Sequence, residues 1–263
     1  REKIIILKSG GNWISYPRII DSPLAGDLIS TSKGQIWIIL PGGYGLFIID
    51  DNGTPDIYTD DLTRRLTIID SDNRIFGSAF ALAEDLDGNI WVGTDQGPVI
   101  YHNPERLFDS DARGNRIRVP RNDGSGLADY MLGKETITSI SVDGANRKWL
   151  GTSNSGAYLL SADGTQVLKN YNAFNSPLFS DSIASIAIDQ VSGEVWLGTS
   201  EGTLSIRETA TSGKASFSKV YSFPNPVRED FTGNVTITGL MRDTEIKITD
   251  ISGNLVYETI SEG

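Results

Sequence analysis

The chain has few side chains whose type and position suit catalysis. His102 is its one histidine, and it follows Tyr101 at the end of a predicted strand. A Ser-His-Asp relay would have to use this histidine. A lyase that needs a histidine beside a tyrosine would also have to use this pair. The strand-end position favours a surface residue, and we predict that the chain is not an enzyme and has no catalytic residues.

Cofactor and metal signatures are weak. Asp85-Leu86-Asp87-Gly88-Asn89 has some likeness to a calcium loop, but Gln96 stands where the bidentate glutamate would be. The run Gly42–Gly45 lacks the Lys-Ser/Thr of a phosphate loop. No cysteine is present, which excludes a thiolate nucleophile or a cysteine-ligated metal. Nothing in the spacing of the 34 acidic residues pairs two of them across a cleft. We predict turns at both glycine-containing segments, and neither metal nor cofactor.

The charge balance excludes one class of partner. Acidic residues outnumber lysine and arginine by 34 to 23, which gives a net charge of −11. A nucleic-acid-binding protein normally neutralises phosphates with a basic face, so an acidic chain disfavours that function. The 28 glycines and 10 prolines are typical of a globular protein built from many short strands and turns.

A repeated unit organises most of the chain. Four tryptophans occupy the same place in it, at intervals of roughly 50 residues, which is close to the length of one four-stranded propeller blade. The matching segments are Gln35–Ile38, Asn89–Thr94, Arg147–Thr152 and Glu194–Thr199. The last three are preceded by alternating strands at Phe80–Asp85, Ile137–Asp143 and Ile183–Asp189, and followed by strands at Gly97–Tyr101, Gly156–Leu160 and Gly202–Ile206.

Each unit therefore predicts a strand, a hairpin turn such as Leu86–Asn89, the tryptophan strand, a second turn and a further strand. A lone sheet of this kind cannot bury an indole, whereas stacked sheets can. We predict that Trp37, Trp91, Trp149 and Trp196 form the core between blades rather than a sugar-stacking platform. The fold class predicted is all-β, with blades that form part of a larger, seven-bladed β-propeller.

The longest polar interruption of the repeat is the insertion at residues 103–136. It mixes basic and acidic residues, which suits a solvated loop. A ligand site stays open as the alternative, because the loops of a propeller gather on one rim and binding residues concentrate on such loops. The charged residues are Arg106, Arg113, Arg116, Arg118 and Arg121, with Glu105, Asp109, Asp111 and Asp123.

The tryptophan repeat ends at Tyr221–Val227, where Pro-Asn-Pro prevents a central strand. Alternating strands follow at Asn234–Thr238 and Glu245–Asp250, and a Ser252-Gly253-Asn254 turn leads into Leu255–Glu258. These segments predict the start of a small Ig-like β-sandwich. Three strands rarely form a stable sandwich alone, so either further strands complete it or it leans on the propeller. The predicted division is 1–219 for a β-propeller of about four blades and 220–263 for a truncated sandwich domain.

These strings resemble known families. The Ile-Trp-Val-Gly-Thr and Trp-Leu-Gly-Thr units are similar to the two-component-regulator type propeller repeat common in Bacteroidetes. The run from Tyr221 to Tyr257, with Phe-Pro-Asn-Pro-Val and Ile-Thr-Asp-Ile-Ser-Gly-Asn-Leu-Val-Tyr, looks like a type IX sorting domain. Together with Val142–Trp149 and Asn175–Leu178, the combination over residues 80–260 resembles the PorZ-like components of the type IX secretion system.

The resemblance implies a protein on the outer-membrane surface, exported through the periplasm. It further implies partners such as PorU, PorV and PorQ, and a role in delivering anionic lipopolysaccharide to the complex that anchors secreted cargo. Two alternatives remain open: a glycan-sensing periplasmic propeller of a hybrid two-component system, and a secreted polysaccharide-active enzyme. The sequence names no ligand-binding residue, and an anionic glycan would need a local basic site on this acidic chain.

Overall fold

A computed structural model describes residues 6–9, 12–15, 24–54, 57, 59–108, 112–121, 123–214, 216–217, 219–233 and 235–261. Apart from one 3-10 helix, Pro104–Phe108, the regular structure of these residues is β, so the all-β prediction is confirmed. No helix in the described ranges is long and apolar enough to cross a membrane. The strands are β1 Ile6–Ser9, β2 Asn12–Ser15, β3 Leu28–Ser30, β4 Gln35–Leu40, β5 Gly45–Asp50, β6 Leu62–Leu66, β7 Ala79–Glu84, β8 Ile90–Thr94, β9 Gly97–Tyr101, β10 Arg118–Pro120, β11 Ala128–Tyr130, β12 Ile137–Val142, β13 Lys148–Thr152, β14 Ala157–Leu160, β15 Val167–Tyr171, β16 Ile183–Asp189, β17 Glu194–Thr199, β18 Gly202–Arg207, β19 Tyr221–Phe223, β20 Thr236–Thr238, β21 Glu245–Thr249 and β22 Leu255–Ile260.

Each tryptophan unit forms one antiparallel sheet whose strands follow chain order. We call these sheets blade 1 (β3-β4-β5-β6), blade 2 (β7-β8-β9), blade 3 (β12-β13-β14-β15) and blade 4 (β16-β17-β18). The tryptophan lies on the second strand of each blade, at β4, β8, β13 and β17. The predicted order of strand, hairpin, tryptophan strand, turn and strand is confirmed.

The hairpin turns between the first two strands of blades 2 and 3 each depend on an aspartate. Asp85 Oδ1 accepts hydrogen bonds from the backbone N–H groups of Asp87 and Asn89, at 3.0 and 2.9 Å. Asp143 makes the same pair of bonds in blade 3. Gly88 has φ +80°, a conformation that glycine adopts without strain. The hairpin-turn interpretation of Asp85–Asn89 is therefore confirmed.

Three of the four tryptophans are core residues. Each packs on the following blade: Trp37 clusters with Leu82, Ile90 and Val92, Trp91 with Ile137, Ile140 and Leu150, and Trp149 with Ile183, Ile186 and Leu197. All three indoles are buried. The prediction is wrong for Trp196, which is 45% exposed. No further sheet of the described residues packs on its face of blade 4, so the indole lacks the partner that buries the others.

The insertion is more ordered than a solvated loop. It contains the 3-10 helix and an antiparallel pair in which β10 Arg118 lies opposite β11 Tyr130. Leu107 is buried in the core shared by blades 1 and 2. Two of the charged residues that the sequence singled out, Asp109 and Asp111, lie outside the described residues.

The tail forms two antiparallel pairs, β19-β20 and β21-β22, and contacts the propeller turns. The connecting segment passes so close to blade 3 that a Cβ on Gly144 would collide with the backbone of Thr211. Arg242 donates to Asp87 Oδ1 at 3.1 Å and to the Leu86 carbonyl at 3.4 Å in blade 2. The tail therefore leans on the propeller, one of the two arrangements expected. The boundary at residues 219 and 220 and the sandwich assignment stay predictions.

Candidate functional site

Arginines of the insertion converge on one aromatic ring. The guanidinium of Arg116 lies 3.6 Å from the ring centroid of Tyr130 and 5.4 Å from that of Phe76. It donates to the Gln96 carbonyl at 3.0 Å, and its Nη1 is 3.9 Å from Asp70 Oδ2. The Arg116 side chain is only 5% exposed. This stacked arginine fastens the insertion to blade 2 and to the segment that follows blade 1.

A second arginine completes an exposed ion pair above this stack. Arg118 Nη2 lies 2.8 Å from both carboxylate oxygens of Asp72, and the Tyr130 hydroxyl also donates to that carboxylate. The hydrogen bonds from Tyr130 and Arg118 lower the pKa of Asp72. Asp72 therefore stays ionised and neutralises Arg118 at neutral pH.

Two more arginines on the same rim bind neutral amides. Arg74 donates to Gln96 Oε1, and Arg113 donates to Asn73 Oδ1. No carboxylate of the described residues lies within ion-pair distance of the Arg74 guanidinium. We call Arg74, Arg113, Arg116, Arg118 and Tyr130 the arginine rim. It is a local basic site on an acidic chain, built from one residue that follows blade 1 and four residues of the insertion.

The remaining charged residues of the insertion do not join the arginine rim. Arg121 pairs with Asp129 across β10 and β11, at 2.5 Å. Asp123 accepts the backbone N–H of Ser125 and holds a turn. Glu105 is 3.7 Å from Lys33. Sequence reasoning named Arg113, Arg116 and Arg118 but missed Arg74 and Tyr130. Arg74 lies outside the insertion and its approach depends on the packing of blades 1 and 2, whereas Tyr130 lies inside the insertion and meets Arg118 through the β10-β11 pairing.

A buried ion pair joins blades 2 and 3. Lys148 Nζ lies 3.1 Å from Asp85 Oδ2 and 5.0 Å from the Trp91 ring centroid, and it donates to the Ala162 carbonyl at 2.5 Å. Burial alone would raise the pKa of Asp85. Hydrogen bonds from Trp91 and Asn89 and the charge of Lys148 outweigh burial, so the pKa is lowered. All of these partners are residues of blades 2 and 3, so the ion pair stabilises the packing of the two blades.

The residues that the sequence offered as candidates for catalysis do not form a catalytic group in the structure. Tyr101 is buried and its pKa is raised by burial, whereas His102 is exposed and its Nδ1 contacts Asn89 Oδ1 at 2.8 Å. Successive strand residues point to opposite faces, which separates the pair. The described residues hold no group of three or more His, Asp or Glu side chains suited to a metal.

One further sequence pattern bears on catalysis, and the sequence analysis did not include it. Gly198-Thr199-Ser200-Glu201-Gly202 has the Gly-x-Ser-x-Gly spacing of a serine nucleophile. The structure places it at the hairpin turn between β17 and β18, where Thr199 pairs with Gly202. A nucleophile elbow joins a strand to a helix, and this turn joins two antiparallel strands of blade 4.

The stacked four-bladed arrangement belongs to the class of β-propeller proteins. No protein-family model and no curated protein matches the chain. Among solved structures, it is similar to two extracellular domains from B. thetaiotaomicron, one from a one-component system and one from a hybrid two-component system. The first is 20% identical over 75% of this chain and 24% of that chain, with a TM-score of 0.50. The second is 19% identical over 98% and 31%, with a TM-score of 0.52. These likenesses show the fold alone.

A further solved structure is similar in sequence as well as in fold. It is PorZ of Porphyromonas gingivalis, described as an essential bacterial surface component of the type IX secretion system. The identity is 32% over 95% of this chain, with a TM-score of 0.70, and the chain spans 35% of the length of PorZ. The predicted resemblance to PorZ is confirmed, since the chain is similar to PorZ over nearly all of its own length, and the sorting-domain resemblance of the tail stays a prediction.

Proposed function

We propose that this chain is part of a non-enzymatic surface component of type IX secretion that binds the attachment-complex proteins, similar to PorU, PorV and PorQ. Its role is to assist delivery of anionic lipopolysaccharide to the anchoring complex at the outer membrane. The observation that carries the proposal is the 32% identity to PorZ over 95% of the chain, at a TM-score of 0.70. The sorting function of the tail, residues 220–263, is part of the same proposal.

The contacts of the candidate catalytic groups support binding rather than catalysis. The Tyr101 side chain is buried beside Trp37, with ring centroids 5.7 Å apart, and the one histidine contacts a turn asparagine. Trp37, Trp91 and Trp149 are buried in the core, so the repeated tryptophans of the described residues form no exposed indole row for a substrate. A binding module needs only exposed rims and loops, which the propeller supplies.

The arginine rim is the part of this proposal that addresses an anionic ligand. A chain with net charge −11 repels an anion at distances within the screening length, so attraction requires a local positive site. Arg74 is exposed and hydrogen-bonded to the neutral amide of Gln96, so its charge adds to the field at the rim. Arginine is also well suited to phosphate because its planar guanidinium can make two parallel hydrogen bonds.

The test is capture of purified anionic lipopolysaccharide and of the sortase complex by the full-length parent of this chain, at physiological salt. The variant Arg74→Ala/Arg113→Ala removes two rim charges, and Arg207→Ala/Arg228→Ala removes two exposed charges elsewhere. We expect the rim variant to lose most lipopolysaccharide capture and the control to retain it. Capture should also fall steeply with added salt.

Three results would contradict all or part of the proposal. Equal lipopolysaccharide capture by both double variants would exclude the arginine rim as the contact site. Failure to capture either lipopolysaccharide or the sortase complex, together with binding of a free oligosaccharide, would favour a sensor propeller. Retained capture of the sortase complex alone would limit the protein to a scaffold.

A further inference from the structure

A cleft lies where the tail meets blade 4. Its walls come from the β16-β17 turn, from the segment between β18 and β19, and from the β19-β20 pair. We call it the linker cleft; its lining residues include Gln190, Glu208, Thr211, Lys214, Phe223 and Thr238. Its volume is about 400 Å³, within the range of small-molecule sites, which often form where two structural units meet.

The propeller side of the linker cleft is held by hydrogen bonds. Gln190 Nε2 donates to the Val142 carbonyl at 2.7 Å, and Ser212 N donates to the Gln190 carbonyl at 2.8 Å. Lys214 N donates to the Leu240 carbonyl at 2.9 Å and ties the connecting segment to the tail. These bonds occupy main-chain groups that an added peptide strand would need, so strand addition is disfavoured.

The cleft contains polar groups without partners. The hydroxyls of Thr209, Thr211, Thr236 and Thr238 make no hydrogen bond to any described residue, although all four residues line the cleft. Glu208, whose side chain is 3% exposed, accepts bonds at Oε1 from Lys169 and Tyr171, both at 2.6 Å. Its Oε2 receives none from the described part of the chain. The cleft thus holds several uncommitted donors and acceptors.

The carboxylate of Glu208 is an acceptor at neutral pH. Burial would raise its pKa, but the hydrogen bonds from Lys169 and Tyr171 and the charge of Lys169 outweigh burial, and the pKa is lowered. An ionised carboxylate accepts strong hydrogen bonds from hydroxyl groups. Glu208 is already paired with Lys169, and Lys214 is the one other charged residue among those that line the cleft. The remaining lining residues are uncharged, which suits a neutral ligand.

The cleft also has an apolar wall. Phe223 is 49% exposed, and Ile237 and Leu240 line the same space. Hydroxyl and carboxylate groups that line the same cleft as an exposed aromatic ring suit a ligand that has hydroxyls at its edge and C–H groups on its face. A sugar ring has both. We propose that the linker cleft binds a neutral saccharide of one or two rings.

This inference does not rest on the proposed secretion function, because its ligand is uncharged and its site is distinct from the arginine rim. The test uses the full 263-residue chain with maltose, lactose, cellobiose and N,N'-diacetylchitobiose. Saturation-transfer NMR detects binding, and titration calorimetry measures Kd. We expect transfer to ring C–H protons of at least one disaccharide. Thr211→Val and Thr238→Val should each raise its Kd by about two- to tenfold, the loss of one neutral hydrogen bond.

Thr63→Val is the matched control, since Thr63 is exposed on β6 and does not line the cleft. It should leave Kd unchanged, and the melting temperature of every variant shows that it is folded. Phe223→Ala should weaken binding further by removing the apolar wall. The proposal is overturned by no transfer to any of the four disaccharides or by an unchanged Kd in both cleft valine variants. Disaccharide binding without lipopolysaccharide capture would refute the secretion proposal and leave this one standing.

Discussion

Replacing Trp149 by alanine measures how strongly blades 3 and 4 are held together. The indole is fully buried, stacks on Tyr171 with ring centroids 5.8 Å apart and planes 12° apart, and contacts the first strand of blade 4. A buried indole removes about 150–250 Å² from water, worth about 4–6 kcal/mol as an upper bound. Core Trp→Ala changes usually cost about 3–5 kcal/mol. We expect Trp149→Ala to lower the free energy of unfolding by about 4 kcal/mol.

Trp196→Ala is the matched control, because Trp196 has the same place in the repeat but keeps 45% of its surface exposed. Trp196 buries only about half of its surface in the native protein, so the expected decrease in the free energy of unfolding is about 2 kcal/mol or less. Urea unfolding followed by far-UV circular dichroism compares the two variants without relying on tryptophan fluorescence. Equal decreases for both variants, or a decrease under about 1 kcal/mol for Trp149→Ala, would refute the packing of successive blades described above.

Three further outcomes follow from named contacts. Arg242→Ala should speed proteolysis of the tail, because the bonds to Asp87 and the Leu86 carbonyl are lost, with a stability change under about 1 kcal/mol. Arg116→Lys should accelerate hydrogen exchange in residues 112–135, since lysine cannot stack as a plane on Tyr130. Asp85 and Glu208 have lowered pKa values, so their stabilisation is present above about pH 4–5 and the melting temperature should drop as pH falls through the native pKa values.

Each of these outcomes has its own control. Lys247→Ala removes an exposed ion pair inside the tail and should leave proteolysis at the wild-type rate. Arg121→Lys alters an exposed pair with Asp129 and should leave exchange in the arginine rim unchanged. Asp85→Asn should reduce the loss of stability on acidification. An acid transition that is identical in Asp85→Asn would mean that other carboxylates control it.

Local signals predicted the blades well. The alternation of apolar residues and the aspartate-glycine turns act over a few residues. Asp85 and Gly88 therefore specify the hairpin of blade 2 without help from distant parts of the chain. The tryptophan repeat identified which strands form a core. The same repeat failed at Trp196, because burial requires a neighbouring sheet, and a repeat pattern does not show whether one is packed there.

The arginine rim was only half predictable. The sequence placed Arg113, Arg116 and Arg118 in one polar insertion, for which it favoured a solvated loop and kept a ligand site as the alternative. Arg74 belongs to a different segment, and its approach to Arg116 depends on how blades 1 and 2 pack. The linker cleft gave no sequence signal, since threonines and serines spread over residues 190–240 are ordinary in a β-rich chain.

The sequence by itself determined the all-β class, the four tryptophan units, the change of texture near Tyr221 and the resemblance to PorZ-like proteins. Each of these features depends on contiguous residues, whose preferences for turns and strands are local. The tertiary structure alone decided which indole is exposed, which arginines meet, and that Arg242 reaches Asp87 across 155 positions of the chain. Such contacts join distant segments, and their geometry follows from the packing of whole sheets rather than from any short run of residues.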